Sequence, residues 1–214
     1  MKNFFTNLLD WIYKKRCYCC SSSKESLTLC SECYSSLDFN SNRPSRIISG
    51  VNVFICGSYD KNLQKMIRGL KYHNKKELAY YLSKFMAEYI EMIDLDKNIQ
   101  IIPVPLHKKR QKARRYNHME LVGIELSKQL ECDINFDLIK RVKDTKPQYK
   151  LSKDERRNNL ENAFEVDFAK YENKKLLIID DICTSGTTFE YMIKELQKNG
   201  IFDILCVATT TPVL

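Results

Sequence analysis

Three groups of residues in this chain have the types and spacing to do chemistry. The first is Asp180 and Asp181, which follow the apolar run Leu176, Leu177, Ile178 and Ile179 and precede Thr184, Ser185, Gly186, Thr187 and Thr188. A short apolar run bounded by charge reads as a buried strand, and the carboxyl end of such a strand is where an open α/β sheet binds ligands. Small hydroxylated residues around a glycine can fold about an anion. A helix starting there, capped by Thr187 or Thr188, adds N–H groups and a favourable dipole. Met192, Ile193 and Leu196 would face the sheet, and Gly200 would end that helix in the left-handed region. The chemistry implied is a split site: amides for a phosphate, and two carboxylates at the strand's solvent end for sugar hydroxyls or a metal ion. Each helix-terminus charge contact is worth only about 0.3–1 kcal/mol at a surface, so several convergent donors are needed, and this loop supplies them.

The second group is thiol. Cys17 and Cys20 form one C-x2-C pair, and after nine intervening residues Cys30 and Cys33 form another. This spacing can bring four thiolates onto one tetrahedral zinc ion at about 2.3 Å. The chain has nine cysteines and no export signal, which points to reduced thiols or metal in a cytoplasmic setting. Cys19 is the odd thiol, and disulfides or unliganded thiols are the competing reading. A structural Zn2+ would contribute on the order of 10 kcal/mol of folding free energy to a segment too short for its own core.

The third group is cationic. Residues 107–116 hold six Lys/Arg and no acid, and residues 140–157 hold eight Lys/Arg and three acids. Together they exceed the whole-chain charge of +8, so the remainder is net acidic. A local excess of this kind suits a polyanionic ligand or a nucleic-acid strand, with solvated loops as the alternative. The first stretch leaves a strand that ends at Pro103 and Pro105, which fixes its exit near the edge that carries Asp180. The second has almost no apolar periodicity before Ala163 and Phe164, and reads as a mobile cationic lid.

These groups need a scaffold. A chain of 214 residues, 43% hydrophobic, can hold one α/β core and a small appendage. Residues 1–40 read as a helix with Phe4, Phe5, Leu8, Leu9 and Ile12 on one face, followed by the cysteine module. That helix is too interrupted for a signal sequence or a membrane span. Residues 38–50 are polar, contain Pro44 and read as a linker, with an α/β domain over 51–214. Within the domain a strand is expected over Val51 to Tyr59, then a helix burying Leu63, Met66, Ile67 and Leu70 and ending at Lys71, Tyr72 and His73. A longer helix follows through Leu78, Leu82, Phe85 and Tyr89, then a strand over Ile99 to Val104. A helix through Leu121, Val122, Leu126 and Leu130, a strand from Ile134 to Ile139 and a last strand from Phe202 to Thr210 complete the pattern.

Leu176 to Thr188 resembles the phosphoribosyl pyrophosphate (PRPP) motif of type I phosphoribosyltransferases, with Cys183 in place of an aliphatic residue. The chain has no G-x-x-x-x-G-K-[ST] loop to make this strand part of a nucleotide triphosphatase. Over nearly its whole length the sequence is similar to the ComF family, phosphoribosyltransferase-like proteins associated with natural transformation. The similarity rests on the two cysteine pairs, LKYHNK, PVPLHKKR with Arg114, Tyr116 and Asn117, then Thr145, Gln148, Leu151, Arg156, Asn159, Ala163 and Phe164, and DDICTSGTT. Two positions depart: Arg115 stands where the family has Gly, and His118 where it has Gln. A glycine that needs positive φ could become Arg only with strain, and His118 reads as a loop histidine that donates a hydrogen bond, with a catalytic base as the alternative.

The resemblance implies a type I phosphoribosyltransferase-like parallel sheet flanked by helices, with a small four-cysteine zinc ribbon at the N-terminus. It implies PRPP bound with Mg2+: the 5′-phosphate on Thr184 to Thr188, the ribose hydroxyls on the catalytic carboxylates Asp180 and Asp181. The pyrophosphate would face Lys108, Arg110, Arg114, Gln148 and Arg156. Two functions follow. One is transfer of a phosphoribosyl group to a nitrogen nucleophile. The other is a competence factor that holds single-stranded DNA, stacks bases on Tyr18, Tyr34, Tyr72 and Tyr116, and meets other DNA-uptake proteins, its PRPP site being regulatory or vestigial.

Overall fold

The computed structural model of the chain describes residues 15–95, 98–143 and 160–212. The expected helix through Phe4 and Ile12, and Thr145, Gln148, Leu151, Arg156 and Asn159, lie outside the described residues.

The sheet is built from runs that are apolar on both faces. Eight strands are described: β1 (Arg46–Ile48), β2 (Val51–Ser58), β3 (Ile99–Pro103), β4 (Asp133–Ile134), β5 (Ile139–Arg141), β6 (Phe164–Val166), β7 (Lys175–Ile182) and β8 (Ile204–Thr211). Six form one sheet in the order β1-β2-β8-β7-β3-β4, parallel throughout except for the antiparallel edge pair β1–β2. At its centre β7 buries Leu176, Leu177, Ile178 and Ile179 completely, as parallel strands covered on both faces must. Ile178 is in register with Ile102 of β3 and Cys206 of β8, so the carboxyl ends of the strands share one edge.

Six α-helices are described: α1 (Ser31–Ser35), α2 (Lys61–Tyr72), α3 (Leu78–Met92), α4 (Lys108–Arg114), α5 (His118–Leu130) and α6 (Thr187–Lys198). Strand alternation sorts the core into two layers. Leu177 and Ile179 pack with α2, α3 and α5, while Leu176 and Ile178 pack with Phe189, Met192, Ile193 and Leu196 of α6. The faces expected of α2 and α3 are those they bury. Asp60 caps α2 by accepting from the Leu63 N–H at 2.6 Å.

The cysteine segment joins the first layer: Cys17, Cys19 and Leu29 are buried in the same cluster as α2 and α3. It comes close because Gly69 of α2 lacks a side chain; a Cβ there would lie 2.5 Å from Leu78 Cδ1 and 2.9 Å from Tyr18 Cε1.

Several expectations are corrected. Residues 38–50 are ordered against the sheet rather than a plain linker. Phe39 stacks on Phe85 with centroids 4.5 Å apart, the Asn40 N–H donates to Cys56 O at 2.8 Å, and Arg46 to Ile48 form β1. The strand expected from Ile134 to Ile139 is broken in two. The Asn135 side-chain oxygen accepts from the N–H groups of Asp137 and Leu138, each at 2.9 Å, an Asx turn that redirects the chain. Beyond it β5 leaves the main sheet and pairs with β6 as a separate antiparallel ribbon. The first basic stretch is helix α4 and not a loop. The N-cap of α6 is Gly186 at φ +77°, with Thr187 the first helical residue, whereas Gly200 is left-handed as expected, at φ +79°.

Candidate functional site

Asp180 and Asp181 are neighbours on a strand, so their side chains must leave on opposite faces. Asp181 follows Leu177 and Ile179 into the layer of α2 and α5. There it is 4% exposed, and one carboxylate oxygen lies 2.5 Å from both Lys71 Nζ and His118 Nε2. Burial alone would raise the pKa of this carboxyl, but the charges of Lys71 and His118 overcome it and hold the group well below the usual carboxylate range. Lys71 responds in the opposite sense: burial works against its charge, and Asp181 outweighs burial and raises its pKa. Asp180, on the other face, has its pKa pushed up to about 7, first by burial and then by the neighbouring charge of Asp181. The two acids are therefore unequal at neutral pH: Asp181 is an ionised, occupied group and Asp180 is poised between its two forms. The expectation that both stand free at the solvent end of the strand is corrected by this geometry.

Both acids line a cavity of about 300 Å3 at the carboxyl ends of β3 and β7, together with Thr184, Gly186, Thr187 and Thr188. Lys71, Arg110, His118 and Arg141 complete its polar wall, with Tyr72 at its margin. The loop before α6 is held from behind. Cys183 N–H donates to Thr210 O at 2.9 Å, Thr211 Oγ1 donates to Cys183 O at 2.7 Å, and Arg46 Nη1 donates to Thr184 O at 2.9 Å. Gly186 is required twice over: its φ is +77°, and a Cβ would meet Ile48 Cδ1 at 2.4 Å. The first turn of α6 then opens onto the cavity, where its N–H groups and dipole favour an anion. Ser185 is 2.7 Å from Thr187 Oγ1, which braces the loop.

The second site is the thiol cluster. The sulfurs of Cys17, Cys20, Cys30 and Cys33 all lie within 4.8 Å of one another, and those of Cys20 and Cys30 are 3.7 Å apart. A tetrahedral ion bonded to sulfur at about 2.3 Å needs sulfur–sulfur edges of about 3.8 Å, so these residues can hold a metal ion. The Cys30 N–H points at Cys17 Sγ at 3.4 Å. Burial opposes ionisation of Cys17, but N–H groups of Cys20, Cys30 and Cys19 bring its thiol down to about 6, which favours the thiolate that a metal binds.

A family model for the phosphoribosyl transferase domain matches residues 121–211. The chain is 30% identical over 200 residues to Competence protein F of Haemophilus influenzae, a match that spans 88% of this chain and 86% of that protein. It is 31% identical over 146 residues to DNA utilization protein YhgH of Escherichia coli O157:H7, spanning 66% of this chain and 64% of that protein. It is also 24% identical over 143 residues to Competence protein ComFC of Bacillus subtilis, over 67% of this chain and 57% of that protein. The chain belongs to the ComF family.

Both departures from the ComF pattern have a structural account. Arg115 ends α4 at φ +67°, so the left-handed turn is kept and an arginine bears its strain. His118 is buried at the start of α5 rather than in a loop. Asn117 caps that helix, accepting from Met119 N–H at 3.0 Å and donating to Val104 O at 3.1 Å, and so aims His118 at Asp181.

The pyrophosphate set is only partly assembled. Arg110 lines the cavity, Lys108 is exposed on α4 away from its lining, Arg114 is the last residue of α4, and Gln148 and Arg156 lie outside the described residues. Of the tyrosines proposed to stack bases, Tyr18 is tied to His73, Tyr34 to Glu88 at 2.8 Å, and Tyr116 to Leu70 O at 2.5 Å. Tyr72 is 55% exposed.

Sequence reasoning missed Lys71, Arg141 and Arg46. The sequence brings Lys71 into view as the end of an apolar helix face and as part of LKYHNK, without a role in the site. The signal that finds it is the alternation of β7, which sends Asp181 into the layer where α2 ends.

Proposed function

We propose that this ComF-family protein binds PRPP as its Mg2+ complex and acts in DNA uptake, as a phosphoribosyltransferase-like protein of the cytoplasm. The observation that carries this reading is the cavity in which Asp180, the first turn of α6 and the cations Lys71, Arg110 and Arg141 face one another. A phosphate at Thr184 to Thr188 and a pyrophosphate near Arg110 and Arg141 would hold the ribose between them, with Asp180 accepting from a ribose hydroxyl. In phosphoribosyl transfer the protein needs no covalent nucleophile. It positions two anions and stabilises positive charge that develops at the anomeric carbon as pyrophosphate leaves. Mg2+ would arrive with PRPP, as a hard cation on its pyrophosphate oxygens. The role in DNA uptake is supported by the printed names of the relatives, Competence protein F and DNA utilization protein YhgH. For the thiol cluster we propose Zn2+ in a structural role, because four thiolates with no open position suit a closed site. Among the described residues no helix is long and apolar enough to cross a membrane.

Calorimetric titration with Mg2+-PRPP, followed by pyrophosphate release over a panel of nitrogen bases, tests this reading. Saturable binding that weakens roughly tenfold to a hundredfold in Asp180→Asn is expected. Absence of binding in metal-loaded, folded protein would overturn it, and binding without release over the whole panel would make the site regulatory.

A second reading has one specific observation behind it: Lys108, Lys109 and Lys112 are exposed on α4, whose Arg110 lines the cavity. If they hold single-stranded DNA, affinity falls with salt by about −0.7 in the log–log slope per phosphate neutralised. A flat response would remove it.

A further inference from the structure

The last turn of α2 is held on three sides, and the candidate PRPP cavity is one of them. On a helix, residues four apart share a face, while a residue two further on points about 200° away. Lys71 accordingly reaches Asp181 at 2.5 Å and lines the cavity. Gly69 and the C-cap His73 face Tyr18 of the cysteine module instead. A Cβ on Gly69 would lie 2.9 Å from Tyr18 Cε1, and the Tyr18 hydroxyl is hydrogen-bonded to His73 Nδ1. On the third side the Tyr116 hydroxyl donates to Leu70 O at 2.5 Å, and Lys76 Nζ lies 4.9 Å from the Tyr116 ring centroid. Tyr116 directly precedes Asn117, the cap that aims His118 at Asp181. Both partners of Asp181 are therefore fixed to one turn of helix.

Tyr18 is itself set by the cysteine turn. It stands between Cys17 and Cys19, its N–H donates to Thr28 O at 2.8 Å, and the Cys17 N–H donates to Ser22 O at 2.7 Å. The turn it meets is a helix end, where carbonyls run out of intrahelical partners and the backbone frays. A lysine there loses rotamer freedom when it is held in one position, so its placement depends on what stiffens the turn. We infer that Tyr18 is a positioning residue for the PRPP cavity: through Gly69 and His73 it fixes the end of α2, and so holds the Lys71 ammonium at Asp181 without touching the ligand. The inference rests on the PRPP reading only for its effect on affinity, because the placement of Lys71 is observable by itself. It gives the cysteine module a function at the cavity, which a closed structural metal site alone does not require.

Residue-resolved reductive methylation of the metal-loaded protein, followed by mass spectrometry, reads the placement of Lys71 without PRPP. Lys71, ion-paired and with its side chain 18% exposed, should react slowly in the unaltered protein. Tyr18→Phe removes the hydroxyl and should raise that rate about two- to tenfold, the worth of one hydrogen bond. Tyr18→Ala, which also takes the ring from Gly69, should raise it further. Lys175, paired with Asp203 at the other end of β7, should keep its rate throughout. His73→Ala breaks the same bond from α2, outside the cysteine module, and should add little to Tyr18→Phe. Dissociation constants for Mg2+-PRPP, measured on the same proteins with metal content confirmed, should weaken by a similar factor. Unchanged Lys71 reactivity in these variants overturns the inference, as do fully additive effects of Tyr18→Phe and His73→Ala. An equal rise at Lys175 assigns the effect to a loosened fold and also overturns it, as does exposure of Lys71 with PRPP affinity unchanged. If Lys71 responds as expected and the unaltered protein binds no PRPP, the positioning of Lys71 by Tyr18 stands and the PRPP reading fails.

Discussion

The cysteine module and the loop that precedes α6 are both short, polar and without a core of their own, yet they are held by opposite means. The loop is fixed by the sheet: β8 supplies Thr210 O and Thr211 Oγ1, and Arg46 of β1 crosses to Thr184 O. Among its described residues the cysteine module has one helix, the five-residue α1, and its sulfurs converge from two turns onto one point. It meets the domain through the buried side chains of Cys17, Cys19 and Leu29 and through bonds such as Lys65 Nζ donating to Cys19 O at 2.5 Å and Asn62 Nδ2 donating to Ser36 Oγ at 2.9 Å. One region is thus fixed by the strands around it, and the other has a four-sulfur cluster that can hold a metal ion at its centre.

The sharpest way to break that comparison is to remove the ion proposed for that cluster. Chelation, or Cys30→Ser with Cys33→Ser, should cost the module most of a metal-binding energy on the order of 10 kcal/mol. Hydrogen exchange should show protection lost over residues 15–37 while β7 and β8 keep theirs. Equal loss in both regions would mean that the module and the sheet form one cooperative unit.

The next effect is at Asp181, inside the region the sheet makes rigid. Asp181→Asn leaves the Lys71 ammonium buried opposite a neutral amide, which should destabilise by about 3–5 kcal/mol. Urea denaturation measures it. A cost below 1 kcal/mol would place Lys71 in water instead, and Lys71→Met in the same chain should recover stability if the buried charge is the cause.

A smaller cost is expected at the loop. Gly186→Ala places a Cβ at positive φ and against Ile48, for a loss of about 1–3 kcal/mol. Adding Ile48→Ala should return the steric part and leave the backbone part. If Ile48→Ala returns nothing, the contact is relieved by movement of β1 and the loop is less fixed than the comparison holds.

How far these features could be read in advance follows from the range of the interaction that makes them. The core of β7, the buried face of α2 and the left-handed Gly200 follow from periodicity and local sterics, and the sequence carries those directly. The four-cysteine convergence was also legible, because C-x2-C fixes its own turn. What was not legible depended on partners distant in the chain. Arg46 meets Thr184 across 138 positions and His118 meets Asp181 across 63. No local pattern distinguishes Arg141, buried over Phe164 in the β5–β6 ribbon, from the solvated cations beside it in sequence. The split of Ile134 to Ile139 into two strands turned on a single Asn135 side chain. The two acids were paired by their sequence and separated by the strand, although period-two alternation was available to say so.

The smallest expected effect tests that separation most directly. Asp180 is raised to about 7 in the fold, against a value near 4 in the unfolded chain. The native state therefore binds more protons than the unfolded state between those values, and this group makes stability fall as pH rises through that window. Asp180→Asn removes the titration. It should be stability-neutral below about pH 4 and stabilising by on the order of 1 kcal/mol above about pH 7, after allowance for partial exposure to solvent. Asp181 has the opposite sign: its stabilising charge is present above the unfolded value and is lost only as pH falls through its depressed native one. Binding of Mg2+-PRPP should separate the two acids again. In the unaltered protein, affinity should rise as pH passes about 7 and the carboxylate becomes able to accept a charge-assisted hydrogen bond, worth about 1.5–3 kcal/mol. In Asp180→Asn it should be roughly tenfold to a hundredfold weaker at alkaline pH and flat where the unaltered protein rises. His118 faces Asp181 and not Asp180, so its contact is kept in that variant. A variant that keeps the full rise would show that Asp180 is not the titrating group.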